Sequence, residues 1–181
     1  MKRFLPLFLS LTLLAGLGPA SVAAVPNGTV TAAVYNYELQ RYDDAREMSR
    51  VNLRLDGRPI AGEMPGVILG GRTMAPLRLL AEGLGAQVEW VPDRAQVLVT
   101  RGEDAILLTL GDPIAQVNGQ PQELPDGVPA TTISYEGQGY TMVPLRFFSE
   151  TLDCRVDWTQ QSYTASVAQR RYIGQEMDLL L

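Results

Sequence analysis

The chain has 181 residues, 46% hydrophobic and 19% charged, which suits one or two packed domains and excludes a disordered or fibrous protein. It carries 15 basic and 20 acidic residues but no histidine, so Ser-His-Asp triads, Cys-His pairs and imidazole-ligated zinc or copper sites are excluded. A single cysteine, Cys154, excludes an internal disulfide and every multi-cysteine metal motif.

Met1-Lys2-Arg3 is a basic start, residues 4–17 are apolar apart from Ser10 and Thr12, and Ser21-Val22-Ala23-Ala24 places small residues at cleavage spacing. Residues 1–24 are therefore expected to be a secretory signal peptide, the apolar run being short of the ~20 residues that span a bilayer. Its removal takes Lys2 and Arg3 and no acid, leaving 13 bases, all arginine, against 20 acids. Such an acidic surface repels nucleic acid and anionic lipid, so neither nucleic acid nor membrane insertion after cleavage is expected. Residues 25–50 form an N-terminal arm. Within it, residues 29–37 alternate loosely as an extra strand, and the acid-first order of Asp43-Asp44-Ala45-Arg46-Glu47 predicts a short helix.

From residue 51 onward an internal repeat organises the chain. Residues 71–90 recur as residues 139–158, with 10 of 20 aligned positions identical and no gap. In the first copy, residues 51–55 alternate as a strand and Asp56-Gly57 supplies the positive-φ pair of a tight hairpin. Residues 67–69 and 72–74 then flank a Gly70-Gly71 turn. Pro76 fits the first turn of a helix of about ten residues, with Leu77, Leu80, Ala81 and Leu84 as its buried stripe and Gly85 as its C-cap. Residues 87–91, 95–100 and 105–110 follow as strands.

The second copy matches. Asn118-Gly119 repeats the hairpin pair, residues 131–135 and 140–143 are strands, and Pro144 opens a helix with Leu145, Phe148, Ser149 and Leu152 buried. Asp153, a less favourable stop, replaces Gly85. Residues 155–158 and 162–168 complete the unit, and residues 170–181 are a tail. The expected fold class is α+β: a twisted antiparallel sheet with short helices on one face, built from two ββαββ repeats over residues 51–110 and 111–169.

Gly-(Arg/Tyr)-Thr-Met-(Ala/Val)-Pro-Leu-Arg, a short helix, and Val-(Glu/Asp)-Trp, carried twice, resemble the copper amine oxidase N-terminal-like, or stalk, domain of secreted bacterial proteins. The resemblance covers about residues 51–168. It implies an antiparallel sheet wrapped around helices, outside the cytoplasm and often attached to envelope or wall-active modules. In true amine oxidases the copper ligands and quinone precursor lie in a separate catalytic domain, which is not expected within these residues. Without histidine the chain is not expected to hold copper in that way, and no cofactor is expected.

The repeat motif singles out Thr73, Met74, Pro76, Arg78, Glu82 and Trp90, with Thr141, Met142, Pro144, Arg146, Glu150 and Trp158 as their counterparts. Trp90 and Trp158 are platforms on which a sugar would stack, but recurrence two residues after a valine is read as a shared core role. Arg78–Glu82 and Arg146–Glu150 are i,i+4 ion pairs. Cys154, aligned with Ala86, is read as an inert buried thiol. Glu89 with Asp157, or Asp43 with Asp44 and Glu47, are the carboxylates available to a glycosidase, and no loop has calcium-ligand spacing. Tyr35, Tyr37, Tyr135 and Tyr140 are the candidates for a ligand-facing surface. The expected function is that of a secreted, non-catalytic cell-envelope module that binds or presents a cell-wall polymer, a polysaccharide or another envelope protein. A small carboxylate-dependent hydrolase and a self-associating structural subunit are the alternatives.

Overall fold

The computed structural model describes residues 28–170, so the expected signal peptide and all but the first residue of the tail lie outside the described residues. The arm forms a strand, β1 (Thr29–Asn36), and a two-residue strand, β2 (Arg41–Tyr42). β3 (Arg46–Leu55) follows, so a strand occupies residues 46–48 where a short helix was expected. The charge order at residues 43–47 is worth only tenths of a kcal/mol to a helix. Against that, β3 gains antiparallel ladders to β1 on one side (Val30↔Met48) and to β5 (Gly66–Leu69) on the other (Val51↔Gly66).

β4 (Arg58–Ile60) returns from the Asp56-Gly57 turn, whose φ values of 47° and 75° are those expected of the hairpin pair. β5, β6 (Arg72–Pro76), α1 (Leu77–Gly83), β7 (Gln87–Val91) and β8 (Gln96–Arg101) come next. β9 (Asp104–Thr109), β10 (Ile114–Val117) and β11 (Gln120–Glu123) lead to β12 (Thr131–Tyr135), β13 (Gln138–Pro144), α2 (Leu145–Thr151), β14 (Cys154–Thr159) and β15 (Thr164–Gln169). Both helices have seven residues, shorter than expected, because Gly85 at φ 72° and Asp153 at φ 54° leave the helical region just after Leu84 and Leu152. Pro76 and Pro144 stand one position earlier than the first helical turn, as caps that also close β6 and β13.

Six strands close on themselves in the order β3-β5-β6-β13-β12-β1, β1 pairing back onto β3, with every pairing antiparallel. Closure removes the edges that an open sheet would expose. The ring encloses its own small core, in which Met48, Met64, Met74 and Met142 pack with Val67 and Ile133. Thioether side chains fill such irregular interiors well. This ring is the main departure from a single sheet with helices on one face: the alternation in each strand was visible, but the β1–β3 pairing joins residues 29–32 to an arm segment with no strand signal.

A second and larger core lies outside the ring. There α1 contributes Leu77, Leu80 and Ala81, and α2 contributes Leu145, Phe147 and Phe148. They pack with Val97, Val99, Ile106 and Leu108 of the five-stranded sheet β11-β10-β9-β8-β7. On the other flank β14 and β15 extend the ring sheet through β15–β3, a parallel pairing (Val167↔Leu55) in an otherwise antiparallel structure. Two of the strands that end the sheets carry polar edges: β11 is exposed throughout and contains Pro121, and β14 carries Arg155 and Asp157. Such edges resist strand-to-strand association.

Where the ring meets this core, β6 and β13 pair as Met74↔Pro144, Ala75↔Val143 and Pro76↔Met142. Ala75 and Val143 are 68 positions apart, the same offset that relates the two similar segments. The register therefore sets Ala75 against its own counterpart, Met74 against the counterpart of Pro76 and Pro76 against that of Met74, as a local two-fold axis through Ala75↔Val143 would.

Candidate functional site

The four candidate tyrosines do not share a surface. β12–β13 and β1–β12 registers put Tyr140 opposite Ile133, which is opposite Val34, so Tyr135 and Tyr140 lean on the methionine core at the ring's inner side. Tyr35 pairs with Tyr42 on the outer side, and period-two alternation makes the separation unavoidable. Outside, the rings of Tyr37 and Tyr42 lie 4.9 and 5.1 Å from that of Tyr35, both edge-on. Tyr37 is also held by a 2.9 Å hydrogen bond between its hydroxyl and that of Thr132, and its phenol is pushed up chiefly by burial. Its ring lies against Gly111, where an added Cβ would come within 2.6 Å of it and where φ is 84°, so this position requires glycine.

Tyr140 donates a 2.7 Å hydrogen bond to Glu63 Oε2, and this bond to a carboxylate raises its phenol from 10.0 to about 12. Because the folded value lies above the unfolded one, the bond's stabilisation is complete below pH 10 and is lost as the pH rises through about 12. In a spectrophotometric phenolate titration one tyrosine should ionise near pH 12, and Glu63→Gln should bring that transition back toward 10.

Cys154 is buried and donates a 3.3 Å hydrogen bond to the Leu152 carbonyl. Burial pushes its thiol up, partly opposed by Arg101, whose Nη1 lies 4.0 Å from Sγ. A protonated, enclosed thiol is a weak nucleophile. Of the carboxylates, Asp157 is held by Arg155, with Oδ2 2.8 Å from Nε and 2.6 Å from Nη2, and Glu89 is exposed on β7. Among the described residues no group of three or more Asp, Glu or Cys side chains is placed to hold a metal ion. Arg146 pairs with Glu150 at 3.1 Å with both side chains exposed, an arrangement worth under about 1 kcal/mol. Arg78 and Glu82 form no such pair, so the recurrence of this Arg and Glu is not explained by a recurring ion pair.

The tryptophans correct the sequence reading most sharply. Trp90 is 47% exposed and Trp158 36%, whereas a core role was expected for both. The alternation did predict their side: Trp90 sits opposite buried Val97, and Trp158 opposite buried Ala165. Each, however, stands near the end of its strand beside a 3-10 turn, where the packed layer ends and the indole overhangs it. Pro92, two residues after Trp90, was the available signal that the strand was about to stop.

Each indole walls an open cleft. One, of about 490 Å3, is lined by Trp158, Arg146, Pro144 and Val156 together with Arg72 and Thr73. The other, of about 380 Å3, is lined by Trp90, Arg78, Pro76 and Val88 together with Tyr140 and Thr141. These positions are related by the offset of 68, the residue type differing only where Arg72 corresponds to Tyr140, and each cleft combines helix-bearing residues of one segment with a strand of the other. The β6–β13 register brings them together in this way.

A profile of the copper amine oxidase N-terminal domain matches residues 54–167, more than half of the chain. The chain belongs to the copper amine oxidase N-terminal domain family. The matched span runs from β3 through β15 and so takes in the repeat motif, both helices and both tryptophan clefts. Copper amine oxidase N-terminal domains are non-catalytic modules. No curated protein and no solved structure gives a significant match to the chain.

Proposed function

We propose that this protein is an exported, non-catalytic module of the cell envelope, built from two ββαββ units, that binds an envelope polymer or presents a binding surface to one. The observation that carries this reading is the exposure of both tryptophans at open clefts. Tryptophan, with a large apolar body and a polar N–H, is enriched at binding interfaces, and here each indole walls a cleft and is not an isolated surface residue. The signal-like start at residues 1–24 supports export, and the lack of histidine in the sequence supports a binding rather than a catalytic role. Cell-wall glycan is the favoured partner class, ahead of another envelope protein.

The test is co-sedimentation of residues 25–181 with purified cell wall. Most of the protein is expected in the wall pellet; protein that stays in the supernatant at every wall concentration contradicts the reading. Replacing Tyr35, Tyr37, Tyr135 and Tyr140 together by alanine serves as the comparison; because Tyr140 alone of the four lines a tryptophan cleft, the loss should not exceed that of Tyr140→Ala.

A further inference from the structure

We infer that the two tryptophan clefts are a pair of equivalent glycan sites, each taking an uncharged, β-linked, gluco-configured pyranose chain against its indole. This rests on the reading of the protein as an envelope-binding module and adds the site, the ligand class and the number of sites.

The first ground is the indole itself. Trp158 is fixed before any ligand arrives: Nε1 donates a 2.7 Å hydrogen bond to Gln160 Oε1, and the ring meets Tyr163 edge-on at 5.4 Å. An indole restrained in this way and still 36% exposed is partly preorganised, so less ordering cost opposes stacking. Pyranoses with all substituents equatorial present a flat C–H face of matching shape. Both clefts fall in the volume range of small-ligand sites.

The polar groups decide the charge of the ligand. In the Trp158 cleft, Arg146 is paired with Glu150, Arg72 with Asp126 and Asp157 with Arg155. Donors and acceptors are thus both on offer with their charges already balanced, which suits hydroxyl groups rather than carboxylates or phosphates. Arg78 in the second cleft adds guanidinium donors without changing the sign of the exported chain, whose 13 bases against 20 acids oppose a polyanion. The alternative of a peptide strand added to β7 or β14 would engage backbone edges and would not need an exposed indole.

The number of sites follows from the register. Ala75 faces its counterpart Val143 across β6–β13, so each helix with its following strand meets the other segment's strand in the same way, and the second cleft repeats the indole, the arginine and the threonine as Trp90, Arg78 and Thr141, with Tyr140 in place of Arg72. Two sites on one chain also raise the affinity for a polymer well above that for an oligosaccharide, through effective concentration.

The test is affinity electrophoresis of wild type, Trp90→Ala, Trp158→Ala and the double variant. The native gels contain hydroxyethyl cellulose, glycol chitin or polygalacturonate, and circular dichroism checks the fold. Wild type should be retarded in at least one of the two neutral polymer gels. Each single variant should lose at least tenfold in apparent affinity, and the double variant should migrate as in a polymer-free gel. Trp90→Phe and Trp158→Phe should keep part of the retardation, which separates loss of stacking from loss of fold. Retardation in polygalacturonate alone, in none of the gels, or undiminished in the double variant overturns the inference. A double variant that still sediments with cell wall like wild type removes these sites while leaving the envelope-binding reading intact; failure of wild type to sediment removes both.

Discussion

Phe148→Ala is expected to lower the stability of the folded chain by about 3–5 kcal/mol. Phe148 is completely buried in α2, and α2 packs on β14 and on β6, the strand that runs in both the ring and the two-fold joint. Deleting its ring removes transfer energy and leaves a cavity in the larger core, where Leu80, Leu145 and Leu152 are likewise inaccessible to solvent, so little room exists for collapse. Against a total stability of about 5–15 kcal/mol for a domain of this kind, that loss leaves a barely folded protein. Urea denaturation checks it: the midpoint should fall with the slope unchanged. A shift worth under about 1 kcal/mol would mean that the helix layer is not packed as described.

Asp56→Ala should cost about 2–4 kcal/mol, although Asp56 lies in a surface turn. Its Oδ1 accepts a hydrogen bond from the Gln169 backbone N–H and its Oδ2 one from Gln169 Nε2, both at 2.8 Å and across 113 residues of sequence. The Asp56 N–H in turn donates to the Val167 carbonyl at 2.9 Å. These bonds fasten the hairpin after β3 to the end of β15, beside the parallel β3–β15 pairing. Alanine leaves the side chain of Gln169, only 9% exposed, without its acceptor, and places a residue that disfavours left-handed backbone at φ 47°. Asparagine keeps the backbone preference and one acceptor, so Asp56→Asn should fall between the two. Thermal unfolding of the three proteins reads the order directly; equal Tm values for wild type and Asp56→Ala would show that the clamp does not form.

Local chemistry carried much of this architecture into the sequence. Asp56-Gly57 and Asn118-Gly119 turn where they were expected, with φ values of 47° and 75° and of 50° and 77°. The stripe Leu77, Leu80, Ala81 is buried, and so is Cys154. What escaped was non-local. Closure of the ring depends on β1 meeting β3, and nothing in residues 43–47 taken alone favours a strand over a helix turn. The same register that closes the ring splits Tyr35 and Tyr37 from Tyr135 and Tyr140. Trp90 and Trp158 show the limit most clearly: periodicity gave the correct side of each strand, but exposure depended on where the helix layer ends, and that is a property of the assembled core.

The two clefts offer a direct measurement because Trp90 and Trp158 are the only tryptophans in the chain. Emission excited at the red edge, where the seven tyrosines do not absorb, therefore reports on these two indoles. Titration of wild type with cellohexaose and with the N-acetylglucosamine hexamer should, for at least one of them, shift the emission to shorter wavelength, protect it from iodide quenching and saturate at two sites per chain. Either single tryptophan variant should saturate at one. Emission and quenching that stay unchanged at saturating concentrations of both sugars would contradict the account.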